Sequence, residues 1–211
     1  RSYLRKLARQ DPRIQTKFLR ANEGIAGNSN AAIALASGDY VAFLDHDDTL
    51  APFALYEVVS ALNSAPEADL IYSDEDKLSR RGRTRMRPHF KPDWSPDTLR
   101  SYNYITHLLV IKRKLLQQIG SLRRGFEGSQ DFDLVLRASE KAKGIVHIPK
   151  VLYHWREHQN STALNTNSKS NVPYSTKRAV ADHLNRLKIG ARIVDGPFFG
   201  SCRALFDLPA S

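Results

Sequence analysis

The stretch Tyr40-Val-Ala-Phe-Leu-Asp-His-Asp-Asp48 decides how the rest of the chain reads. A short apolar run with β-forming residues ends in three carboxylates, Asp45, Asp47 and Asp48, within four positions. Open α/β sheets bind their ligands at the carboxyl ends of their strands. Alternate residues of an extended segment share a side, so Asp45 and Asp47 converge on one cation. Carboxylates this close repel one another unless something positive sits between them. Taken by itself, the stretch fits a solvated acidic loop as well as a cation site.

Outward from this strand, helix and strand alternate. An opening amphipathic helix carries Tyr3, Leu4, Leu7 and Ala8, and residues 14–19 read as a strand. Residues 26–36 form an Ala-rich helix. Residues 52–64 form another, with Pro52 in its first turn and Leu55, Val58, Val59 and Leu62 at helical spacing. Residues 70–72 make a short strand. This order predicts an α/β fold with a mixed, mostly parallel sheet flanked by helices. From 73 to 101 the pattern dissolves into charge, Pro and aromatics, which predicts a long functional loop. Beyond it come a strand at 108–111, a helix at 112–119 and a helix from Asp131 to about 142. Two short strands follow at 145–148 and 151–153, then a polar stretch at 160–173. A late amphipathic helix at 175–188 and a strand pair or linker over 191–207 close the chain.

The bulk properties narrow the classes. The 211 residues suffice for one sizeable domain. No apolar run approaches a membrane span, and no signal peptide is visible. A single cysteine, Cys202, excludes an internal disulfide framework and a multi-Cys zinc site, and fits a reducing compartment. The chain opens on Arg1 inside a helix and so reads as a piece of a longer protein. The net charge of +10 points to polyanionic partners, with arginines crowded at 80, 81, 83, 85 and 87.

Three more constellations can carry chemistry. Asn22, Gly24 and Asn30 lie where a Gly-containing loop opens a helix, a place that approaches a phosphate or base closely. Gly128-Ser-Gln-Asp-Phe-Asp133 leads into a helix whose N-terminus favours an ionised carboxylate. Asp131 is there either an N-cap or a general base. Tyr153-His-Trp-Arg-Glu-His158 sets two histidines around Arg156 in a short polar segment.

Taken in order, Asn22-Glu-Gly24, Asn30, Gly38-Asp-Tyr40, Leu44-Asp-His-Asp-Asp48, Gln130-Asp131 and Arg156-Glu-His158 resemble a family 2 glycosyltransferase. The similarity is greatest to bacterial rhamnosyltransferase-like enzymes of O-antigen and capsule assembly. Tyr72-Ser-Asp-Glu-Asp-Lys77, Phe90-Lys-Pro-Asp-Trp-Ser-Pro-Asp97 and Asn103-Tyr-Ile-Thr-His107 resemble the same subgroup.

The resemblance implies a GT-A fold and inverting transfer from a nucleotide-diphosphate sugar to a saccharide or lipid-linked acceptor. It implies Asp131 as catalytic base, and Asn22, Gly24, Asn30, Asp45 and Arg156 on the nucleotide-sugar. Asp47 and His158 would lie at a divalent Mg or Mn ion, and Asp74, Asp76 and Gln130 on the acceptor side. Gln130 stands where the family often has Glu. The family's first strand and its nucleobase-reading acid would precede Arg1. Residues 1–174 would then be the transferase domain lacking that strand, and 175–211 a helix and connector toward a second transferase domain. A cytoplasmic protein, peripheral at the inner face of the plasma membrane, is the expected setting, with the arginine loop meeting a lipid-diphosphate acceptor or the membrane.

Two rivals use the same residues. Asp45-His-Asp47-Asp-Thr49 also matches a haloacid-dehalogenase-like phosphatase, with Asp45 as covalent nucleophile and magnesium as cofactor. That family places the motif on its first strand, whereas here an Asn/Gly loop, a helix and a strand come first. The charge alone would suit a basic nucleic-acid-binding module, but no zinc-finger or RNA-binding aromatic signature accompanies it, so nucleic acid is not an expected partner.

Overall fold

The computed structural model describes residues 1–157 and 171–207. Helices α1 (Ser2–Gln10) and α2 (Gly24–Ile33) lead to strand β1 (Tyr40–Phe43), the short β2 (Thr49–Leu50) and helix α3 (Ala54–Ser64). Strands β3 (Ala68–Leu78) and β4 (Arg85–His89), helix α4 (Pro96–Leu99), strand β5 (Leu109–Lys112) and helix α5 (Arg113–Ile119) follow. Helix α6 (Gln130–Ser139), strand β6 (Gly144–Arg156), helix α7 (Val172–Arg186) and the pair β7 (Ala191–Asp195) and β8 (Cys202–Phe206) complete the described chain.

The main sheet runs β1-β5-β3-β6-β2, with β4 on β3. Strands β3 and β6 are parallel, and the other pairs are antiparallel. Strands β1, β3 and β6 therefore point the same way, as the β-α-β alternation requires. Local alternation does not reveal that β5, from later in the chain, is inserted between β1 and β3 and runs against both.

Each strand face feeds a different core. Val41, Phe43, Leu70 and Tyr72 join α2, α5, α6 and α7 on one side of the sheet. Tyr40, Ile71, Val110 and Tyr153 join α3 on the other. The period-two alternation of a pleated strand produces this division. Burying Leu70, Ile71 and Ile111 fully is worth about 1.5–3 kcal/mol each.

Several local expectations give way. Residues 14–19 form no strand, because a strand needs a hydrogen-bonded neighbour and none pairs with them. Instead Gln15, Lys17, Phe18 and Leu19 line a cavity of about 390 Å³ with Arg1 and Asn22. The apolar pattern stops at Tyr72, but β3 runs on to Leu78 through Ser73, Asp74, Glu75 and Asp76, all buried. Buried carboxylates are tolerated when paired, and each of these is. Asp74 accepts from the Lys91 N–H at 2.9 Å and lies 2.9 Å from His147 Nε2. Asp76 lies 2.7 Å from His154 Nδ1 and accepts from Arg85 Nε at 2.6 Å. The stretch 73–101 is thus strand, hairpin and short helix rather than loop.

The two short strands expected around Pro149 are one strand, β6. Ser73 pairs with Ile148 and Asp74 with Val151, so Pro149 and Lys150 bulge out of the ladder. A bulge is where a residue without an N–H can sit in a long strand. No helix among the described residues is long and apolar enough to cross a membrane.

Candidate active site

At the end of β1 the chain leaves its extended course and turns tightly, with the Asp48 N–H bonded to the Asp45 carbonyl at 3.2 Å. The turn returns residue 48, rather than 47, to the side of Asp45. Ligand atoms of Asp45, Asp48 and His107 all lie within 4.8 Å of one another. Asp47, reached by strict alternation, is not in this group. Its carbonyl accepts from Arg156 Nε at 2.7 Å, and its carboxylate is 3.7 Å from His46 Nδ1.

Strand β6 fixes this loop. Tyr153, fully buried, donates its hydroxyl to Asp48 Oδ2 at 2.5 Å and accepts from the Asp45 N–H at 3.2 Å. Asp48 Oδ1 accepts from the Arg156 N–H at 2.7 Å. Burial and the Asp48 carboxylate raise the Tyr153 pKa far above the phenol range, so it remains a donor. The ring of His107 stacks on Tyr153 with centroids 4.4 Å apart and meets Trp155 edge-on at 5.4 Å.

The remaining wall comes from α6. Gly128, at φ +82°, opens the turn before it, and a Cβ there would meet Val172 Cγ2 at 2.5 Å. Only glycine satisfies both the backbone and the space. Gln130 Oε1 accepts from the Gly128 N–H at 2.8 Å. Asp131 follows, in the first turn of α6, and accepts from Asn103 Nδ2 at 3.1 Å. Asp45, Thr106, His107, Gln130 and Asp131 share a cavity of about 360 Å³, whose other wall is apolar, with Ile25, Leu122, Trp155 and Phe199.

Electrostatics favour a cation here. Asp45 is exposed at the cavity mouth as a residue, yet partial burial of its carboxyl raises its pKa, His107 opposes the rise, and the carboxylates of Asp48, Asp47 and Asp131 add to it. Burial also raises Asp131, against the Phe132 N–H, His107 and Asn103. Two carboxylates and an imidazole are a donor set for a divalent metal such as Mg or Mn. On chemistry and spacing the three residues fit one. A base raised by burial suits proton abstraction near neutral pH.

The other expected site residues are placed elsewhere. Asn30 spends its amide on Leu122, donating to its carbonyl at 2.8 Å and accepting from its N–H at 2.9 Å. Asn22 Oδ1 caps the turn into α2, accepting from the Gly24 N–H at 3.0 Å and from Asn28 Nδ2 at 2.9 Å. Asp74 and Asp76 point into the ion pairs of β3 and do not line the cavity. Arg156 holds the acidic loop. His158 lies outside the described residues.

The sequence pattern gives His107, Thr106, Asn103, Tyr153 and Asp48 no individual role, and the stretch from Asn103 to His107 stands out only by its resemblance. Glu75, beneath it, is held down to about 2: burial opposes this, and Lys91, Lys77 and the Thr106 hydroxyl outweigh burial. Burial in turn lowers Lys91 to about 8, against the pull of Glu75.

The family model described as "Glycosyl transferase family 2" matches residues 1–120. The chain is 44% identical over 188 residues to O-antigen biosynthesis protein RfbC of Myxococcus xanthus. That match covers 87% of this chain and 14% of the relative's length. Among solved structures, S. aureus TarS 1–349 in complex with UDP-GlcNAc superposes with a TM-score of 0.62 at 15% identity, covering 88% of this chain and 59% of that one. Mannosyltransferase PcManGT of Pyrobaculum calidifontis, in complex with GDP-Man and Mn2+, gives 0.54 at 15% identity, covering 89% and 50%. The fold is the GT-A fold of these neighbours.

Proposed function

We propose that this chain, which belongs to glycosyl transferase family 2, transfers a sugar with inversion from a nucleotide-diphosphate donor. The acceptor is a hydroxyl of a saccharide or lipid-linked glycan in bacterial surface polysaccharide synthesis, and the sugar is a hexose or deoxyhexose. The observation that carries this reading is one cavity lined by Asp45 and His107 on one side and Asp131 on another. The printed ligands of the two solved neighbours, UDP-GlcNAc and GDP-Man with Mn2+, support a nucleotide-sugar donor and a divalent cation.

In this reading Asp131 accepts the proton of the acceptor hydroxyl. The hydroxyl oxygen bonds to the anomeric carbon as the bond from that carbon to the diphosphate oxygen breaks. The nucleoside diphosphate departs, and the proton rests on Asp131. A divalent cation held by Asp45, Asp48 and His107 would offset the charge growing on the leaving diphosphate. Asn103 fixes one oxygen of Asp131. Residues past 175 lead, on the same proposal, toward a second transferase domain, for which the small share of RfbC covered by the match is the support.

Calorimetry with Mn2+ and a panel of nucleoside diphosphates tests the donor side. Binding of one diphosphate that requires Mn2+, and that Asp45→Ala or Asp48→Ala abolishes, is the expected result. Undiminished binding in both variants sinks the cation assignment. The same measurement on Asp47→Ala decides whether Asp47 joins the ion when the donor is bound.

A further inference from the structure

We propose that the segment from Asn103 to His107 holds the two halves of the site in register, and that the buried Glu75–Lys91 pair anchors it. The inference rests on the reading of Asp131 as base and of Asp45, Asp48 and His107 as cation ligands. It assigns positioning roles to Asn103, Thr106, Glu75 and Lys91, which act through Asp131 and His107.

The segment reaches both halves within five residues. At one end Asn103 Nδ2 donates to Asp131 Oδ2 at 3.1 Å. At the other, His107 presents its ring to Asp45 and Asp48. Between them the chain closes on itself, with the Thr106 N–H bonded to Asn103 Oδ1 at 3.3 Å. Tyr104 and Ile105 are wholly buried and pin the middle of the segment to the core. A shift of this piece therefore moves base and cation ligand together.

Glu75 and Lys91 decide where it sits. A single oxygen, Glu75 Oε2, accepts from the Thr106 hydroxyl at 2.6 Å, the His107 N–H at 3.1 Å and Lys91 Nζ at 3.2 Å. Lys91 Nζ also donates to the Ile105 carbonyl at 2.5 Å and to the His107 carbonyl. The three donors of the ammonium are all spent on this segment and its anchor. The Lys91 side chain is 0% exposed and that of Glu75 3%. Well-packed apolar residues often replace a buried ion pair at no loss of stability. Stability alone thus gives little reason for the pair, whereas holding one geometry of the segment gives a specific one.

The double variant Glu75→Gln/Lys91→Met removes both charges of the buried pair together; Lys77, 3.4 Å from Glu75 Oε1, loses its carboxylate and keeps its place over the Trp155 ring. The double variant is expected to fold, by near-UV circular dichroism, and to bind Mn2+ about 10- to 100-fold more weakly, the range for loss of supporting contacts around a metal ligand. Its bound-Mn2+ electron paramagnetic resonance line shape is expected to change. Thr106→Val, which removes one bond to Glu75 and no charge, gives a smaller loss of the same sign should the double variant not fold. Asn103→Ala acts at the other end: Mn2+ affinity stays within about twofold while kcat falls at least about tenfold with donor KM unchanged.

Wild-type Mn2+ affinity and line shape in the folded double variant or in Thr106→Val overturn the anchor, and a wild-type kcat in Asn103→Ala overturns the link to the base. Should the wild-type protein bind no Mn2+, the cation reading fails separately. The anchor is then judged by 15N resonances of the His107 ring, expected to be single and fixed in wild type and averaged in the double variant. Unchanged resonances overturn it.

Discussion

The hydroxyl of Tyr153 donates to Asp48 Oδ2 at 2.5 Å, joining strand β6 to the acidic turn 105 positions earlier in the chain. The same oxygen accepts the Asp45 N–H, so one phenol ties the Asp48 carboxylate to the backbone of Asp45. Carboxylates gathered this closely repel, and a shared positive charge relieves them.

Tyr153→Phe keeps the ring and its stack on His107 and removes only the hydroxyl. Asp48, already buried, then lacks one donor, at a cost of about 1–3 kcal/mol. Thermal unfolding should show a lowered midpoint, and calorimetry an affinity for Mn2+ reduced about tenfold.

Asp131→Asn removes the proposed base while preserving shape. Turnover should fall by about 10²–10⁴, the range for a lost general base, with nucleoside diphosphate and Mn2+ binding retained. Because burial raises the wild-type carboxyl pKa, the acidic limb of the kcat/KM profile should lie above the ordinary Asp range near 3.8. Activity should rise with pH as the base ionises. A limb at or below that range in wild type contradicts the assignment.

The raised pKa of Asp45 makes a stability prediction of definite sign. A carboxyl whose folded pKa lies above its unfolded value binds its proton more tightly when folded. Its stabilising contribution is present below pH 3.8 and is lost as pH rises through the raised folded value. At neutral pH without metal, Asp45→Asn should therefore melt at or above the wild-type temperature. Added Mn2+ should raise the wild-type midpoint and leave that of the variant where it was.

Asn30→Ala separates a structural amide from a nucleotide contact. Both ends of the side chain are bonded to Leu122, so the loss should appear as about 1–3 kcal/mol of stability in denaturant titration. Binding of the nucleoside diphosphate should stay within about twofold once the protein is folded.

The arginines of the β3–β4 hairpin divide by role. Arg85 pairs with the buried Asp76 and Arg87 with Glu157, while Arg80, Arg81 and Arg83 stand exposed at the tip. At about 1 kcal/mol per basic residue near an anionic surface, Gln at all three should weaken co-sedimentation with anionic vesicles about a hundredfold. Neutral vesicles should pellet neither protein. Equal pelleting of wild type and variant removes the hairpin from any membrane contact.

Much of the frame was legible residue by residue. Helix α3 is carried by Val58 and its neighbours at helical spacing, β1 by the apolar run from Tyr40, and the site's location by the carboxylates that end it. Patterns of this kind need only the chain's own periodicity and sterics. Strand β3 beyond Tyr72 was not legible, because its charges are buried only by virtue of partners such as His147, His154 and Lys91, each far away in sequence. The same limit explains Asn22 and Asn30, polar residues at a suggestive place whose bonds turn out to be spent on the protein itself.

The sequence by itself determined the α/β class, the acidic cluster after β1 and the presence of Asp131 at a helix start. Only the tertiary structure decided that Asp48 stands beside Asp45, that His107 completes the group and that Asn103 ties it to Asp131. The physical reason is range. Periodicity and local sterics act over a few residues, whereas His107, Asn103 and the Tyr153 that fixes the Asp48 turn reach these partners only because the closed sheet brings distant segments within hydrogen-bond distance.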